Sequence, residues 1–460
     1  MSDPNAHRQE DASASGARGV DAAADPGGGP GESWRSAVRG NVLMMGLVSL
    51  FTDFSSEMMN PLLPIYILGL VAPGAGAVGR AALFVGLMEG VAETAASLLK
   101  VFSGRLSDRL GRRKALVVAG YGLSSIARPA MAAAGAIWHV IALKLADRVG
   151  KGVRTSPRDA LIGDSVGPEH RGLAFSFHRI MDHTGAILGP IVAVAVLYAF
   201  LGQVLWRGGT DQPGADQMRA LRWLFAIALI PGLCAMAALV LKVREIAPKP
   251  SAPGAGTQAG RGAWRLLPRR FYAFVGVVTL FALGNSSDLF IVFLGRERFG
   301  LGLLQLVGLW VALHASKIVF SIPGGVLSDR LGRRPVIVAG WVVYAVVYLG
   351  LAFCGVAWQF WALVIAYGFY HGMTEGVEKA LVADFVPSER RGTAYGIYHG
   401  AVGLAALPAS LLFGVFWELI GPRVAFGIGA ALAGAAAVLL IVLLSAASPR
   451  AADAPAGARA

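Results

Sequence analysis

The sequence of 460 residues is poor in charged residues and in cysteine. Asp, Glu, Lys and Arg make up 15% of it, whereas soluble domains carry about 25%. The two cysteines, Cys234 and Cys354, lie in separate apolar segments, which excludes a disulfide framework and a CxxC metal site. No Walker-type phosphate-binding loop occurs, so ATP is not expected to supply energy. No catalytic motif is present either, and the chain is predicted to be neither an enzyme nor dependent on a cofactor.

Long apolar segments dominate the sequence instead. Hydrophobic residues make up 55% of the chain, and the mean hydropathy is +0.59. Runs of roughly 20 apolar residues, enough to cross a bilayer core, recur along nearly the whole chain. The net charge of +13 resides in short turns and not on a contiguous basic face, which argues against nucleic-acid binding. The predicted fold class is an all-α integral membrane protein with the lipid bilayer as its partner.

The apolar runs predict twelve transmembrane helices in two six-helix bundles. The stretch between the bundles is rich in Pro, Gly and Ala, as flexible linkers are, and the first forty residues lack the apolar core of a signal peptide. The helices are predicted at 41–70, 81–104, 114–135, 137–163, 172–200, 222–243, 271–296, 302–326, 335–355, 357–383, 392–419 and 422–446. The predicted domains are a disordered cytoplasmic tail (1–40), an N-terminal bundle (41–243), a cytoplasmic linker (244–270), a C-terminal bundle (271–446) and a second cytoplasmic tail (447–460).

The distribution of basic residues predicts the orientation. Most Lys and Arg residues of the turns fall between helices 2 and 3, 6 and 7, 8 and 9, and 10 and 11. The turns between helices 3 and 4 and between 9 and 10 contain none. Because basic turns stay on the cytoplasmic side, we expect them and both termini to be cytoplasmic, in the inner (cytoplasmic) membrane of the cell.

The sequence contains an internal repeat. Gly104 to Lys114 reads GRLSDRLGRRK, and Gly325 to Pro335, 325 − 104 = 221 positions later, reads GVLSDRLGRRP. Residues 164–172 (DSVGPEHRG) match 384–392 (DFVPSERRG), and Ser55-Ser56-Glu57 resembles Ser286-Ser287-Asp288. Three matches in the same order indicate two homologous halves.

Charged residues also occur inside the apolar segments, where each costs several kcal/mol unless it faces protein or water. Segments 6, 9 and 12 contain none, and segment 3 contains only Arg128. We therefore expect these four helices to face lipid and the others to surround a central polar path. Pairs spaced i, i+4, such as Asp53 with Glu57 and Glu89 with Glu93, place their charges on one helix face.

Taken together, these features resemble the major facilitator superfamily over the whole chain outside the tails and linker. Its signature G-x-x-x-D-R/K-x-G-R-R/K occurs twice with all its charged residues. The resemblance implies two bundles that rock around a midplane site in alternating access, with helices 3, 6, 9 and 12 outside, and a monomer. It also implies that glycines allow close helix approach and that the signature's charges form a cytoplasmic gate. The gate residues are Gly104, Asp108, Arg109, Gly111, Arg112, Arg113, Gly325, Asp329, Arg330, Gly332, Arg333 and Arg334.

Two patterns of drug–proton antiporters match in part. Their helix 4 carries R-x-x-Q-G, and here Arg148 and Gly152 keep the pattern while Lys151 replaces Gln. Their helix 5 carries G-x-x-x-G-P, which is present here but lacks the Gly pair that follows. This resemblance favours efflux over uptake. The predicted helix-packing residues are Gly152, Gly185, Gly189 and Pro190.

Proton coupling requires a buried carboxylate whose protonation responds to its surroundings. The candidates are Asp53, Glu57, Glu89 and Glu93, with Arg148 or Arg154 as counter-charge. The repeat diverges where Glu93 aligns with His314 and where Arg158-Asp159 aligns with Glu378-Lys379, which predicts an asymmetric site for a small molecule. The candidate substrate-binding residues are Lys151, Arg154, Arg158, Asp159, Arg179, Asp182, Asp288, His314, His371, Glu375, Glu378 and Lys379.

The residues leave several substrates and one other function open. Cations on helix 4 favour an anionic or zwitterionic solute, whereas the carboxylates and aromatic residues would suit a lipophilic cation. The histidines would suit a divalent metal or its chelate as cargo, although no metal-site spacing occurs and no resident metal is expected. Proton-coupled uptake of an anionic solute is the alternative to efflux. A receptor without transport activity is the least expected function, because the gate charges and intramembrane carboxylates are all present.

Overall fold

The computed structural model describes residues 38–72, 74, 77–202, 213–246, 267–286, 288–301 and 303–445. The expected N-terminal tail up to residue 37, the whole of the expected C-terminal tail and most of the expected linker lie outside these residues. The described part of the chain contains no β-strand and is almost entirely helical. The predicted all-α fold class is confirmed.

Twelve helical spans follow one another through the described residues, six in each half. The first half contains α1 (Asn41–Glu57, resuming at Leu63–Leu70), α2 (Ala77–Leu110), α3 (Arg113–Ala130), α4 (Ile137–Asp164), α5 (Arg171–Leu201) and α6 (Ala215–Ile227, then Leu229–Lys242). The second half contains α7 (Arg269–Gly284, resuming at Leu289–Phe299), α8 (Leu303–Leu331), α9 (Arg333–Phe353), α10 (Ala357–Phe385), α11 (Arg391–Leu419) and α12 (Pro422–Ser445).

The largest differences from the predicted bounds concern α2 and α6. Helix α2 continues to Leu110 and not to 104, because nothing in the charged motif breaks a helix before Gly111, whose φ of 61° allows the left-handed turn. Helix α6 begins at Ala215 and not at 222, because its first two turns contain Asp216, Gln217 and Arg219 and therefore lack the apolar signal of a membrane helix.

Helices α1 and α7, expected to be continuous, are each interrupted midway. The first part of α1 ends at Glu57, and a 3₁₀ turn (Asn60–Leu62) follows before the helix resumes at Leu63. This turn contains Pro61, which lacks a backbone N–H. Helix α7 ends at Gly284, whose carbonyl accepts a hydrogen bond from the Tyr344 hydroxyl at 2.9 Å. Each interruption thus brings irregular backbone and a carboxylate (Glu57 or Asp288) to the middle of a span, as discontinuous helices do at binding sites of transporters.

The two halves meet along two helix pairs. Helix α2 packs against α11, and α5 packs against α8. Helices α4 and α10 lie beside this seam and contact α11 and α5, respectively. The end of the molecule that contains the turns between α2 and α3 and between α8 and α9 is called the basic end below.

Among the described residues, eight helices are long and apolar enough to cross a membrane: α1, α3, α5, α6, α8, α9, α11 and α12. Of the other four described spans, α2, α4 and α10 carry intramembrane charges, and α7 is interrupted. Large apolar side chains are exposed on α3, α6, α9 and α12, and also on α5 and α11, for example Ile191 and Leu411. Lipid-facing surface is therefore not confined to the uncharged helices, because a helix at the seam has a polar inner face and an apolar outer face.

Candidate functional site

At the basic end, two carboxylates bind helix N-termini of the opposite half. Asp108, near the end of α2, accepts hydrogen bonds from the backbone N–H groups of Gly392 at 2.9 Å and Thr393 at 2.6 Å, in the first turn of α11. Asp329 does the same at the first turn of α5, with Gly172 and Leu173 both at 3.0 Å. A helix N-terminus offers unpaired N–H groups and a partial positive charge, so these contacts join the halves.

Close helix approach makes these contacts possible. A Cβ added to Gly325 would lie 2.7 Å from the backbone oxygen of Gly172, and one on Gly104 would meet the backbone oxygen of Gly392 closer still. Backbone atoms cannot turn aside as a flexible side chain can. A side chain at either glycine would therefore force α2 from α11, or α8 from α5.

Asp164, the last residue of α4, joins two arginines from different halves. Its carboxylate contacts the guanidinium groups of Arg113, at the start of α3, and Arg391, at the start of α11. Arg113 is fully buried and also donates to the backbone oxygen of Ser388 in the other half, at 2.5 Å. Opening the basic end here would break the contacts of Arg391 with Asp164 and of Arg113 with Ser388, while Arg113 would keep Asp164 in its own half.

The second half repeats this cluster at positions shifted by 220. Asp384, near the end of α10, contacts Arg333 of its own half at 3.1 Å and Arg171 of the other half at 2.5 Å. Arg333 donates to the backbone oxygen of Pro168 at 2.6 Å and also contacts Asp329. The basic end is thus closed by two equivalent sets of contacts.

The remaining predicted gate residues lie around these contacts. Arg109, Arg112 and Arg330 are exposed and form no ion pair with the described residues, and Arg334 is half-buried. Gly111 and Gly332 have φ angles of 61° and 93° and form the tight turns.

Beyond the signature motif, sequence reasoning missed charged residues that join the two halves at the basic end. The signal was available, since the repeated segments 164–172 and 384–392 begin with an aspartate and each contain an arginine before the final glycine. The missed residues are Asp164, Arg171, Asp384 and Arg391.

In the first half, the α2 carboxylates are paired with cations. Glu89 lies 3.0 Å from the ammonium of Lys144 and 3.6 Å from Arg148 of α4. Glu93 lies 3.5 Å from Lys100 and 4.0 Å from Arg148. The side chains of Glu89 and Glu93 keep 44% and 42% of their surface accessible although they lie midway along α2.

Asp53 and Glu57 of α1 differ from these residues, because no cation of the described chain lies within 4 Å of either carboxylate. The only side-chain partner that Glu57 has there is the amide of Asn60, at 3.0 Å. Both lie where α5 crosses α1 closely: a Cβ on Gly185 would be 3.1 Å from the Cβ of Asp53, and one on Gly189 would be 2.7 Å from that of Glu57. These glycines allow α5 to approach α1 closely at Asp53 and Glu57.

Two cations of α4 likewise have no carboxylate within 4 Å in the described chain. They are Lys151 and Arg154. Arg154 is buried, donates to the Ser124 hydroxyl at 2.7 Å and lies over the Tyr121 ring at 4.4 Å from its centroid. Gly152, between them, packs against α2, where a Cβ would be 2.7 Å from the Cβ of Leu99. Pro190 lies within α5, half-buried beside Gly189.

A chain of charges crosses from α5 to α10. Asp182 pairs with Arg179 at 2.9 Å, and Arg179 approaches Glu375 of α10 at 3.9 Å. His183 lies 3.3 Å from Glu375, and its ring meets that of His314 of α8 with centroids 5.3 Å apart. Predicted residues from both halves therefore meet at the seam.

The charges continue into the second half. His371 lies 3.3 Å from Glu375 and 4.0 Å from Asp288. Asp288, at the break in α7, pairs with Lys317 at 3.2 Å and accepts a hydrogen bond from the Tyr367 hydroxyl at 2.7 Å. Unlike Glu57 in α1, this carboxylate is fully partnered.

Nearer the basic end, Asp159 of α4 contacts an arginine, a lysine and a histidine. Arg158 lies 2.9 Å away on the same helix, while Lys379 of α10 at 3.0 Å and His399 of α11 at 2.8 Å come from the other half. Glu378, beside Lys379, instead accepts hydrogen bonds from neutral groups, the indole of Trp341 and the hydroxyl of Tyr398. Within the described chain, no group of three or more His, Cys, Asp and Glu residues is placed to hold a metal ion.

A family model described as the Major Facilitator Superfamily matches residues 45–315 and 304–460. The chain belongs to the major facilitator superfamily. The two matches together span both halves of the chain. As a superfamily member it is a multi-pass membrane transporter of small molecules and not an enzyme.

Relatives and solved structures within the superfamily agree with this assignment. The chain is 31% identical over 409 residues to an uncharacterised MFS-type transporter of Methanocaldococcus jannaschii, covering 88% of this chain and 94% of the relative. It is 29% identical over 170 residues to the multi-drug resistance efflux pump PmrA of Streptococcus pneumoniae, covering 36% and 42%. The structure of the human organic anion transporter MFSD10 matches with a TM-score of 0.71 at 15% identity, over 88% of this chain and 99% of that one, which shows a shared fold.

Proposed function

We propose that this protein is a proton-coupled efflux transporter of a small charged organic solute that works by alternating access. The basic end is the cytoplasmic end, both termini are cytoplasmic, and the protein acts as a monomer in the inner (cytoplasmic) membrane. The positive-inside rule supports this orientation, since the exposed arginines Arg109, Arg112 and Arg330 all lie at the basic end.

The observation that carries proton coupling is the unpaired state of Asp53 and Glu57. Glu89 and Glu93 already have cationic partners, and a proton would have to displace Lys or Arg from them. Asp53 and Glu57 have no cation within 4 Å in the described chain, so a proton would not have to displace a bound Lys or Arg from them. They also lie at the crossing of α1 and α5, where α1 is interrupted. Proton binding at this crossing would therefore act directly on a contact between two helices of the first half.

Two observations support efflux over uptake. The G-x-x-x-G-P pattern of α5, which resembles that of drug–proton antiporters, contains the glycines that pack α5 against α1 at this crossing. The partial similarity to a multi-drug efflux pump also favours export. Uptake of an anionic solute by the same machinery is the alternative that the test below separates.

The test uses inside-out membrane vesicles energised by respiration, so that their interior becomes acidic. Carboxyfluorescein and ethidium serve as an anionic and a cationic probe. Proton-coupled efflux predicts that at least one probe accumulates, that a protonophore abolishes accumulation, and that Asp53→Asn abolishes it while the protein remains in the membrane. Accumulation only under the opposite gradient would establish uptake. Unaltered accumulation in both Asp53→Asn and Glu57→Gln would reject these residues as the coupling site.

A further inference from the structure

Asp159 and Lys379 occupy the same position in the two halves and contact each other. Their separation, 379 − 159 = 220, is the shift that relates Asp164 to Asp384 in the gate. Their charged atoms lie 3.0 Å apart, and the Asp159 side chain is completely buried. A residue that contacts its own counterpart lies at the pseudo-twofold axis that relates the halves. Identical residues there could not form an ion pair, so this contact depends on the divergence of the two halves.

The surroundings of Asp159 form a ready-made site for a carboxylate. Oδ1 receives the guanidinium of Arg158 at 2.9 Å, and Oδ2 receives Lys379 at 3.0 Å and Nε2 of His399 at 2.8 Å. We call these four residues the axial cluster. Three donors, among them the guanidinium of Arg158 and the ammonium of Lys379, face a single carboxylate. The cluster is thus an anion site that the protein fills with its own side chain.

The axial cluster also has unused donor capacity. The ammonium of Lys379 is buried, yet it finds no acceptor in hydrogen-bonding geometry within the described chain, although it lies close to Asp159. An ammonium has three N–H donors, and the ion pair with Asp159 uses at most part of them, so Lys379 can also bind a second anion. This is independent support for an external ligand of negative charge.

We propose that the axial cluster binds the anionic group of the transported solute, with Asp159 as the internal anion that fills the site when solute is absent. This proposal rests on the transport function proposed above and specifies the cargo as an organic anion. A solute carboxylate or phosphate that binds Lys379 and His399 replaces Asp159 as their partner. The ionic contact between α4 and the second half is then lost. The gate residue Asp164 lies five positions further along α4, about 7.5 Å away along the helix. Loss of the axial contact therefore favours opening of the basic end.

The test measures the distance between the two halves at the basic end and uses formate, the smallest carboxylate, as the ligand. Spin labels at Arg109→Cys and Arg330→Cys, both exposed and in different halves, report the separation across the basic end by pulsed electron resonance. Cys234→Ser removes the exposed native thiol. In Asp159→Ala the internal anion is lost, and the ratio of open to closed molecules should rise about tenfold or more, since a buried charge pair is broken. Millimolar formate should occupy the vacated site and restore the closed distance.

Formate should have the opposite effect on the protein that retains Asp159, because there it competes with the internal anion and favours opening. Asp159→Asn is the matched control, since the amide fills the space and should show no response to formate. Sodium chloride at equal ionic strength controls for screening. If Asp159→Ala does not fold, the comparison uses Lys379→Met, which should abolish the formate response of the Asp159-containing protein.

A formate response of the same sign with and without Asp159, or no response in either, would overturn the proposal. These measurements do not depend on flux. Formate-dependent closure without proton-driven flux would reject the transport function proposed above but not the anion site. Flux without any formate response would reject the anion site alone.

Discussion

Glu57 in the first half and Asp288 in the second lie at equivalent interruptions of α1 and α7, yet their surroundings differ. Asp288 has Lys317 and Tyr367 as partners, whereas Glu57 has only the amide of Asn60 within the described chain. At the basic end, by contrast, the two halves supply the same contacts with the same residue types. The difference has a physical reason: at the gate each half provides the partner of the other, so both must keep the same chemistry. The described partners of Glu57 and Asp288 lie within their own half, so neither carboxylate has to match its counterpart.

The largest expected effect concerns the two gate aspartates. Asp164→Asn should destabilise the protein by about 3–5 kcal/mol, because it removes the carboxylate that buried Arg113 and Arg391 share and leaves Arg113 only the more distant Asp108, at 3.8 Å. Asp384→Asn should cost less, since 28% of that side chain is exposed against 3% for Asp164. Thermal unfolding in detergent measures both. An equal loss of unfolding free energy in the two variants would show that the greater burial of Asp164 does not make its cluster contribute more to stability.

The gate glycines should give the next largest effect. Gly104→Ala and Gly325→Ala each place a methyl group against backbone of the opposite half and should favour the open basic end by about 1–3 kcal/mol. The effect should be larger for Gly104, where the approach is closer. Gly434→Ala on α12 is the matched control, since a Cβ there meets nothing within 4 Å. Spin-label distances across the basic end measure the shift, and an unchanged distribution in Gly104→Ala would contradict the role of close packing.

Glu57→Gln and Asp288→Asn should separate coupling from stability. Glu57→Gln keeps an acceptor for Asn60, so stability should change by less than about 0.5 kcal/mol, while proton-driven flux falls at least about tenfold, equivalent to about 1.4 kcal/mol. Asp288→Asn leaves Lys317 without its anion and should cost about 1–3 kcal/mol of stability. Unfolding and vesicle flux are measured on both variants. A stability loss in Glu57→Gln equal to that in Asp288→Asn would remove the distinction between the halves.

The smallest effect is expected from the exposed arginines of the signature motif. Arg109→Ala and Arg330→Ala should each change the free energy of unfolding by less than about 0.5 kcal/mol, because neither forms an ion pair with the described residues. Arg113→Ala, which removes a fully buried arginine, is the comparison in the same motif. A loss of unfolding free energy in Arg109→Ala as large as that in Arg113→Ala would show that the exposed and buried arginines share one role.

Much of the fold could be predicted from the sequence because its signals are local. Apolar runs of bilayer length and a motif repeated 221 positions apart predict the twelve spans and the two halves. The interruptions of α1 and α7 were not predicted. Pro61 is a local signal for the first, but the second depends on hydroxyl groups such as that of Tyr344, which lies 60 positions away in the sequence.

The site was less predictable than the fold. Charge counting identified Glu57, Glu93 and Asp288 together as intramembrane carboxylates, although only Glu57 lacks a cation within the described chain. Which carboxylate meets which cation depends on helix rotation and on contacts between residues far apart in the sequence. Spacing along one helix does not contain that information.

The sequence by itself determined a duplicated membrane protein with a charged motif in each half, because hydropathy, repeat and motif are properties of single segments. Only the tertiary structure decided how the charges pair. It placed Asp108 and Asp329 on the N-termini of helices in the opposite half, and it paired Asp159 with its own counterpart Lys379. Such contacts join residues more than 150 positions apart, and the free energy of a buried charge depends on its neighbours in space.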